Sequence, residues 1–161
     1  MSGTPDRAEV LDTLLSATRV LVGVATRSLA GAGTEVTLTQ FRPLMVLASR
    51  GPQRAIDVAG ELGVNPSTGT RVCDRLVGKG LIRRTRRAGD RRAVWLVLTP
   101  AGRDLVAEVN RRRRAELARL LGTIPPACYG YLVESLGAIA EAAGEPDGDD
   151  LWSAWPDELD L

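Results

Sequence analysis

Residues 65–98 read NPSTGTRVCDRLVGKGLIRRTRRAGDRRAVWLVL, and the change of period inside this stretch decides the fold. Asn65 followed by Pro66 joins a good N-cap to a residue suited to the first helical position, so a helix is predicted from Pro66 to about Gly78, with Val72 and Leu76 inside. After Gly80 the helical spacing ends. Leu81 to Thr85 and Ala93 to Leu98 have strand-like composition, and Val94, Leu96 and Leu98 alternate with Trp95 and Val97. The charged turn between the runs, residues 86–92, makes them a β-hairpin with a basic tip. Upstream, Arg54 to Leu62 predicts a short helix with Val58, Ala59 and Leu62 as its inner face, closed by Gly63. Two short helices joined by a few residues that include a glycine form a helix-turn-helix, and the hairpin is a wing beside it.

The flanks are helical. Thr4 and Pro5 predict the start of a first helix of about 25 residues ending near Gly31 and Gly33, with Val10, Leu14, Leu21, Ala25 and Leu29 in helical period. Thr37-Leu38-Thr39-Gln40 fits a capping box that opens a second helix, with Phe41, Leu44, Leu47 and Ala48 inward. Pro43 lies beyond its first turn, where a kink is the usual consequence. Thr99-Pro100 restarts a helix that can reach Gly122, with Leu105, Val109, Leu117 and Leu120 or Leu121 as its apolar face. After Pro125-Pro126 a last helix carries Leu132, Val133, Leu136, Ile139 and Ala140, and the tail from Gly144 is acidic but holds Trp152 and Trp155. The fold class expected is mainly α with a small β-hairpin wing. It comprises a winged helix-turn-helix lobe at 37–98, dimerisation helices at 1–36 and 99–143, and an acidic tail at 144–161.

Composition narrows the function. The chain has 161 residues, 44% hydrophobic and 25% charged, with a formal net charge of +1, which suits one globular domain with extensions. Its apolar runs are too short and too interrupted by charge to span a membrane, and its acidic start is unlike a signal peptide, so a cytoplasmic protein is expected. Two cysteines make no disulfide framework, and the absence of histidine removes the commonest general base and metal ligand. No cofactor or metal site is expected, and nothing supports an enzyme. Charge position says more than charge total: residues 37–103 hold 13 basic and four acidic side chains, a net +9, and the flanks hold the compensating −8. A basic centre between acidic ends suggests a polyanion-binding module.

Several spaced signals now occur in order: Thr37-x-x-Gln40, Val58-Ala59-x-x-Leu62-Gly63-Val64, Asp74-Arg75-Leu76-x-x-Lys79-Gly80-Leu81-Ile82-x-Arg84, Asp90-Arg91-Arg92 and Leu98-Thr99-x-x-Gly102. The chain resembles the MarR-type winged-helix regulators, the multiple-antibiotic-resistance regulator family, over about residues 8 to 143. The resemblance implies a homodimer with intertwined terminal helices that binds double-stranded DNA at a pseudo-palindromic operator. It also implies a repressor released by a small aromatic or lipophilic effector, or by an oxidant. Gly69 and Gly78 depart from the pattern, each weakening its helix by up to about 1 kcal/mol relative to alanine. The tail beyond residue 144 lies outside the shared fold.

The helix from Pro66 is the candidate reader, because Ser67, Thr68, Thr70, Arg71 and Arg75 lie on its first turn and outer face. Arg71 is assigned a base contact, since a guanidinium can hold guanine O6 and N7 bidentately, and Arg75 a phosphate contact. Six arginines in residues 83–92 repel one another unless a polyanion neutralises them. By resemblance, Arg92 would enter the minor groove with Asp90 bracing it, and Arg84, Arg86 and Arg91 would serve the DNA backbone. Analogy alone places an effector between the helices and the lobe near Arg19, Phe41 and Met45. Cys73 is read as a small buried filler and Cys128 as core or interface. An acidic, flexible and disordered tail is the default expectation for this terminus; the sharper one is that Trp152 and Trp155 dock on the dimer body, or that the tail acids compete with DNA for the wing. Two alternatives remain open: a winged-helix module that binds protein, and an activator without a small-molecule effector.

Overall fold

A computed structural model of the chain describes residues 5–87 and 90–145, with the side chains of 87 and 90–92 left aside. Helix α1 spans Arg7–Ala30, and its N-cap is Asp6, whose carboxylate accepts from the Glu9 amide at 2.8 Å. The expected start at Thr4-Pro5 is therefore two residues early, because a carboxylate serves the open amides better than the preceding threonine. Helix α2, Leu38–Arg50, opens with the expected capping box and continues through the buried Pro43. Strand β1, Gln53–Arg54, leads into α3, Ala55–Glu61, and then α4, Pro66–Gly78. The hairpin is β2, Ile82–Arg87, with β3, Asp90–Leu98, so both strands run nearer the tip than their composition predicts. Helix α5 spans Pro100–Leu121, and a short 3-10 turn at Pro126–Cys128 precedes α6, Tyr129–Ala142.

The sheet is antiparallel in the order β1-β3-β2, with Gln53 opposite Leu96 and Thr85 opposite Trp95. Leu96, Val97 and Leu98 are all buried, so at its base the hairpin is covered on both faces, and the alternation expected of a half-solvated strand stops there. One core joins Leu29 of α1 and Val36 just after that helix, Phe41, Leu44 and Leu47 of α2, Val58, Cys73 and Leu76 of the helix-turn-helix, and Val106 and Val109 of α5. The inner residue of α4 is Cys73, with Val72 only partly covered, and the inner residues of α5 include Val106, which the spacing does not single out. Most of α1 and all of α6 lack a buried partner. Leu15 is 59% exposed, Tyr131 74% and Val133 75%, and only Val24, Ser28 and Leu29 of α1 are buried. Cys128 is exposed, so it is no part of the core of this chain.

The junction between the lobe and α5 is tight. Helix α4 ends in a Schellman arrangement: Gly80, at φ +70°, donates to the Val77 carbonyl at 2.9 Å, and Leu81 donates to the Leu76 carbonyl at 3.0 Å. The Leu81 carbonyl accepts from the Thr99 amide at 3.1 Å, while the Thr99 hydroxyl donates to the Gly80 carbonyl at 2.6 Å and accepts from the Gly102 amide at 3.1 Å. A Cβ on Gly102 would stand 2.1 Å from the Leu81 oxygen, so only glycine fits. Gly102→Ala is expected to cost about 2 kcal/mol or more in urea unfolding, because the obstacle is backbone that cannot step aside. Gly78→Ala, where an added Cβ meets nothing within 4 Å, is expected to stabilise by up to about 1 kcal/mol in the same measurement.

Candidate nucleic-acid interface

Helix α4 is positioned by its inner face. A Cβ on Gly69 would lie 2.4 Å from the Ala59 Cβ and 3.0 Å from its Cα, so α3 and α4 cross at a distance that glycine alone permits. The helical weakness read into Gly69 is therefore the condition for this crossing. Asn65 caps the helix: its side-chain oxygen accepts from the Thr68 amide at 2.9 Å and from the Ser67 hydroxyl at 2.8 Å. Thr70 donates to the Pro66 carbonyl at 2.9 Å, so both hydroxyls still offer lone pairs outward. Ser67, Thr68, Thr70, Arg71, Asp74 and Arg75 are all exposed, and Cys73 and Leu76 hold the opposite face in the core. The structure thus brings the five reader residues of α4 to one outward surface.

Beside that surface, Arg84 of β2 forms an ion pair with Asp74 of α4. Its charge is thereby partly spent within the protein, and the pair fastens the wing to the reading helix. Asp74 is the residue the sequence reading missed here; its position one turn from Arg71 and next to Arg75 on an outward face was the available signal. Arg86 is exposed beside the register break between Thr85 and Arg87. The side chains of Asp90, Arg91 and Arg92 lie outside the described residues, and so does the bracing of Arg92 by Asp90. Trp152, Trp155 and the tail acids lie outside them as well.

Burial pushes the Cys73 thiol above its ordinary value, and the neighbouring Asp74 carboxylate adds to the shift. A buried sulfur kept as thiol is poorly suited to sensing oxidants. The three residues placed near an effector do not converge. Phe41 is fully buried in the core, Arg19 is on the exposed face of α1 with its guanidinium on Ser16 at 2.9 Å, and Met45 lines a groove between α2 and α5. That groove, about 630 Å³, is also lined by Asn110, Arg113, Arg114, Leu117, Ala118 and Leu121. The Arg113 Nε is buried with no hydrogen-bond partner among the described residues, and burial lowers the affinity of this guanidinium for its proton. Arg113 was hidden in the run Arg111 to Arg114, which as sequence says only that a helix is charged. Its neighbours Arg111 and Arg112 are satisfied by Glu108, whose carboxyl they hold below its ordinary range.

The family profile described as MarR family matches residues 36–94. The multiple antibiotic resistance protein MarR of Salmonella typhimurium is 31% identical over 106 residues, covering 63% of this chain and 74% of that protein. The chain belongs to the MarR family. The crystal structure of RV1404 from Mycobacterium tuberculosis superposes with a TM-score of 0.81 at 40% identity, covering 90% of this chain and 99% of that one. BpsR of Bordetella bronchiseptica, whose DNA binding is regulated by 6-hydroxynicotinic acid, superposes with a TM-score of 0.63 at 26% identity, covering 86% and 99%. This is a family of transcriptional regulators, not of enzymes, and the winged helix is its fold. Among the described residues, no cluster of acids and cysteines could hold a metal ion, and no helix is long and apolar enough to cross a membrane.

The start of the helix-turn-helix carries a pH-dependent cap. The Asp57 carboxylate accepts from the Arg54 amide at 3.2 Å and from its guanidinium at 2.8 and 2.9 Å, and these hydrogen bonds hold its pKa below the ordinary carboxylate value. A depressed folded-state value means the stabilisation is complete above the unfolded pKa and is lost as the pH falls through the folded one. Asp57→Asn is expected to be about 0.5–1 kcal/mol less stable than the parent near neutral pH, with the difference shrinking below about pH 4; urea unfolding at both pH values checks it.

Proposed function

We propose that the chain is a sequence-specific DNA-binding regulator that acts as a homodimeric repressor on a pseudo-palindromic operator. The observation that carries this reading is the outward surface of α4, with its three hydroxyls and two arginines set beside a basic wing. Arg71 reads a base, Arg75 and Arg86 hold phosphates, and Arg84 positions the wing through Asp74. Arg91 serves the backbone and Arg92 the minor groove, with Asp90 as its brace. Residues 37–98 form the DNA-binding lobe, and 1–36 and 99–143 the dimerisation helices. The apolar side chains that α1 and α6 leave exposed, Leu11, Leu15, Val133 and Leu136 among them, suit burial against a second copy.

The groove lined by Met45, Leu117 and Arg113 fits a small aromatic acid. Its apolar walls would take the ring, and Arg113 supplies an unsatisfied donor for a carboxylate. Regulation of the relative BpsR by 6-hydroxynicotinic acid supports this class of effector.

Selection from a random duplex pool is expected to yield an inverted repeat with half-sites about one helical turn apart. Its affinity should fall with a log-log salt slope of about −5 to −9 for roughly 6 to 10 phosphate contacts. Arg71→Ala should cost about 1–3 kcal/mol on the selected site and relax the preference at one base pair, whereas Arg75→Ala should weaken all duplexes alike and reduce the slope by about 1. Arg92→Ala should weaken binding strongly at constant salt. A slope near zero, or a monomer at the concentrations where binding is measured, would overturn the reading.

A further inference from the structure

Helix α6 has no buried residue, and within the described chain it is held at its two ends. At its start the Tyr129 hydroxyl donates to the Leu121 carbonyl of α5 at 3.1 Å. At its far end, about 21 Å away for 14 residues, Gly144 takes the left-handed turn at φ +69° and closes a Schellman cap, with Glu145 donating to the Ala140 carbonyl at 3.0 Å. The Gly144 carbonyl accepts from Nη2 of Arg50, the last residue of α2, at 3.1 Å. The same nitrogen stands 3.0 Å from the Glu61 carboxylate at the end of α3, and the Arg50 carbonyl accepts from the Gln53 side chain at 3.1 Å.

We propose that Arg50 is a positioning residue, a strut that fixes the helix-turn-helix against the C-terminal end of α6 and so sets the separation of the two reading helices in the dimer. It rests on the DNA-binding reading above. One guanidinium gathers the ends of α2, α3 and α6, and α3 carries α4 through the Gly69–Ala59 crossing, so a shift of α6 reaches the reading surface through two rigid contacts. The electrostatics favour the arrangement: a helix C-terminus is the negative end of its dipole, and a cation there is stabilised by it. The pair with Glu61 is half-exposed, with side-chain exposures of 38% and 36%, and such pairs add little to stability, which leaves geometry as their main effect.

The test uses the full chain, with wild type, Arg50→Ala, Arg50→Lys and Glu61→Gln measured on the inverted repeat that wild type selects, on the same repeat with one and two base pairs inserted at its centre, and on an isolated half-site. Wild type should lose about tenfold in affinity with each insertion, because half-site spacing is a rigid-body constraint. Arg50→Ala should lose less than about threefold, with half-site binding within about twofold of wild type. Glu61→Gln should fall between, and Arg50→Lys, which keeps the charge and sets one three-donor nitrogen in place of the single Nη2 that makes both contacts, should retain most of the wild-type penalty. An unchanged spacing profile in Arg50→Ala overturns the strut. If wild type selects no inverted repeat, the DNA-binding reading has failed, and amide hydrogen exchange decides the strut alone. Faster exchange in Arg50→Ala over both 139–145 and 57–63 supports it; faster exchange in neither or only one of them overturns it.

Discussion

The Leu81 carbonyl is the point on which the rest of the structure turns. It sits three residues past the end of α4, at the first step into the wing, and it accepts from Thr99 at the last step out of the wing. Gly102 brings the first turn of α5 against it so closely that no side chain fits between. Three directions are thereby fixed at one place: the axis of α4, the plane of the hairpin and the course of a 22-residue helix that leads away from the lobe. A two-stranded ribbon is marginal alone in water, and this one gains its stability from the core beneath Leu96 and Leu98 and from the junction at its base.

The arginines differ in what surrounds them. Arg27 with Glu116, Arg50 with Glu61, Arg54 with Asp57, and Arg111 and Arg112 with Glu108 are matched by carboxylates within the chain. They lie where elements meet or along α5, and their work is alignment. Arg71, Arg75 and Arg86 point outward, and none has an ion pair among the described residues. Exposed ion pairs contribute modestly to folding, so this difference matters mainly through the field it leaves. Arg71, Arg75 and Arg86 leave positive charge standing on the face that carries α4 and the wing, where a phosphate backbone would supply anions; Arg113 and Arg114, which line the groove between α2 and α5, likewise have no ion pair among the described residues.

Much of this was legible in the sequence because caps and turns are local. Thr37 with Gln40, Asn65 with Pro66, and Thr99 with Pro100 specify helix starts within four residues, and the structure begins α2, α4 and α5 where they say. What was hidden depends on partners distant in the chain. Strand β1 is two residues long and carries no alternation; it exists because Trp95 and Leu96 offer an edge to Arg54 and Gln53. Gly69 looked like a weak helical position because its reason is Ala59, ten residues earlier. Val72, read as an inner residue, is only partly covered on the core, and Cys73, read as a small buried filler, is the more deeply buried of the two. Arg84 looked like one more cation in a basic run until the hairpin set it beside Asp74.

The unpaired helices complete the physical argument. A protomer that exposes Val10, Leu11, Leu14 and Leu15 on one helix and Tyr131, Val133, Leu136 and Ile139 on another carries more apolar surface than a single soluble subunit ordinarily leaves in water. At about 25 cal/mol per Å², covering such faces would stabilise the chain, and in the proposed homodimer a twofold axis would do so with no new chemistry because each face would meet its own copy. The same axis would duplicate the outward surface of α4. In the proposed homodimer, the link from α6 to the lobe through Arg50 would convert a hydrophobic association at one end of the molecule into a fixed distance between two arginine-bearing helices at the other. Shape would then be transmitted by the ends of helices, with affinity left to charge.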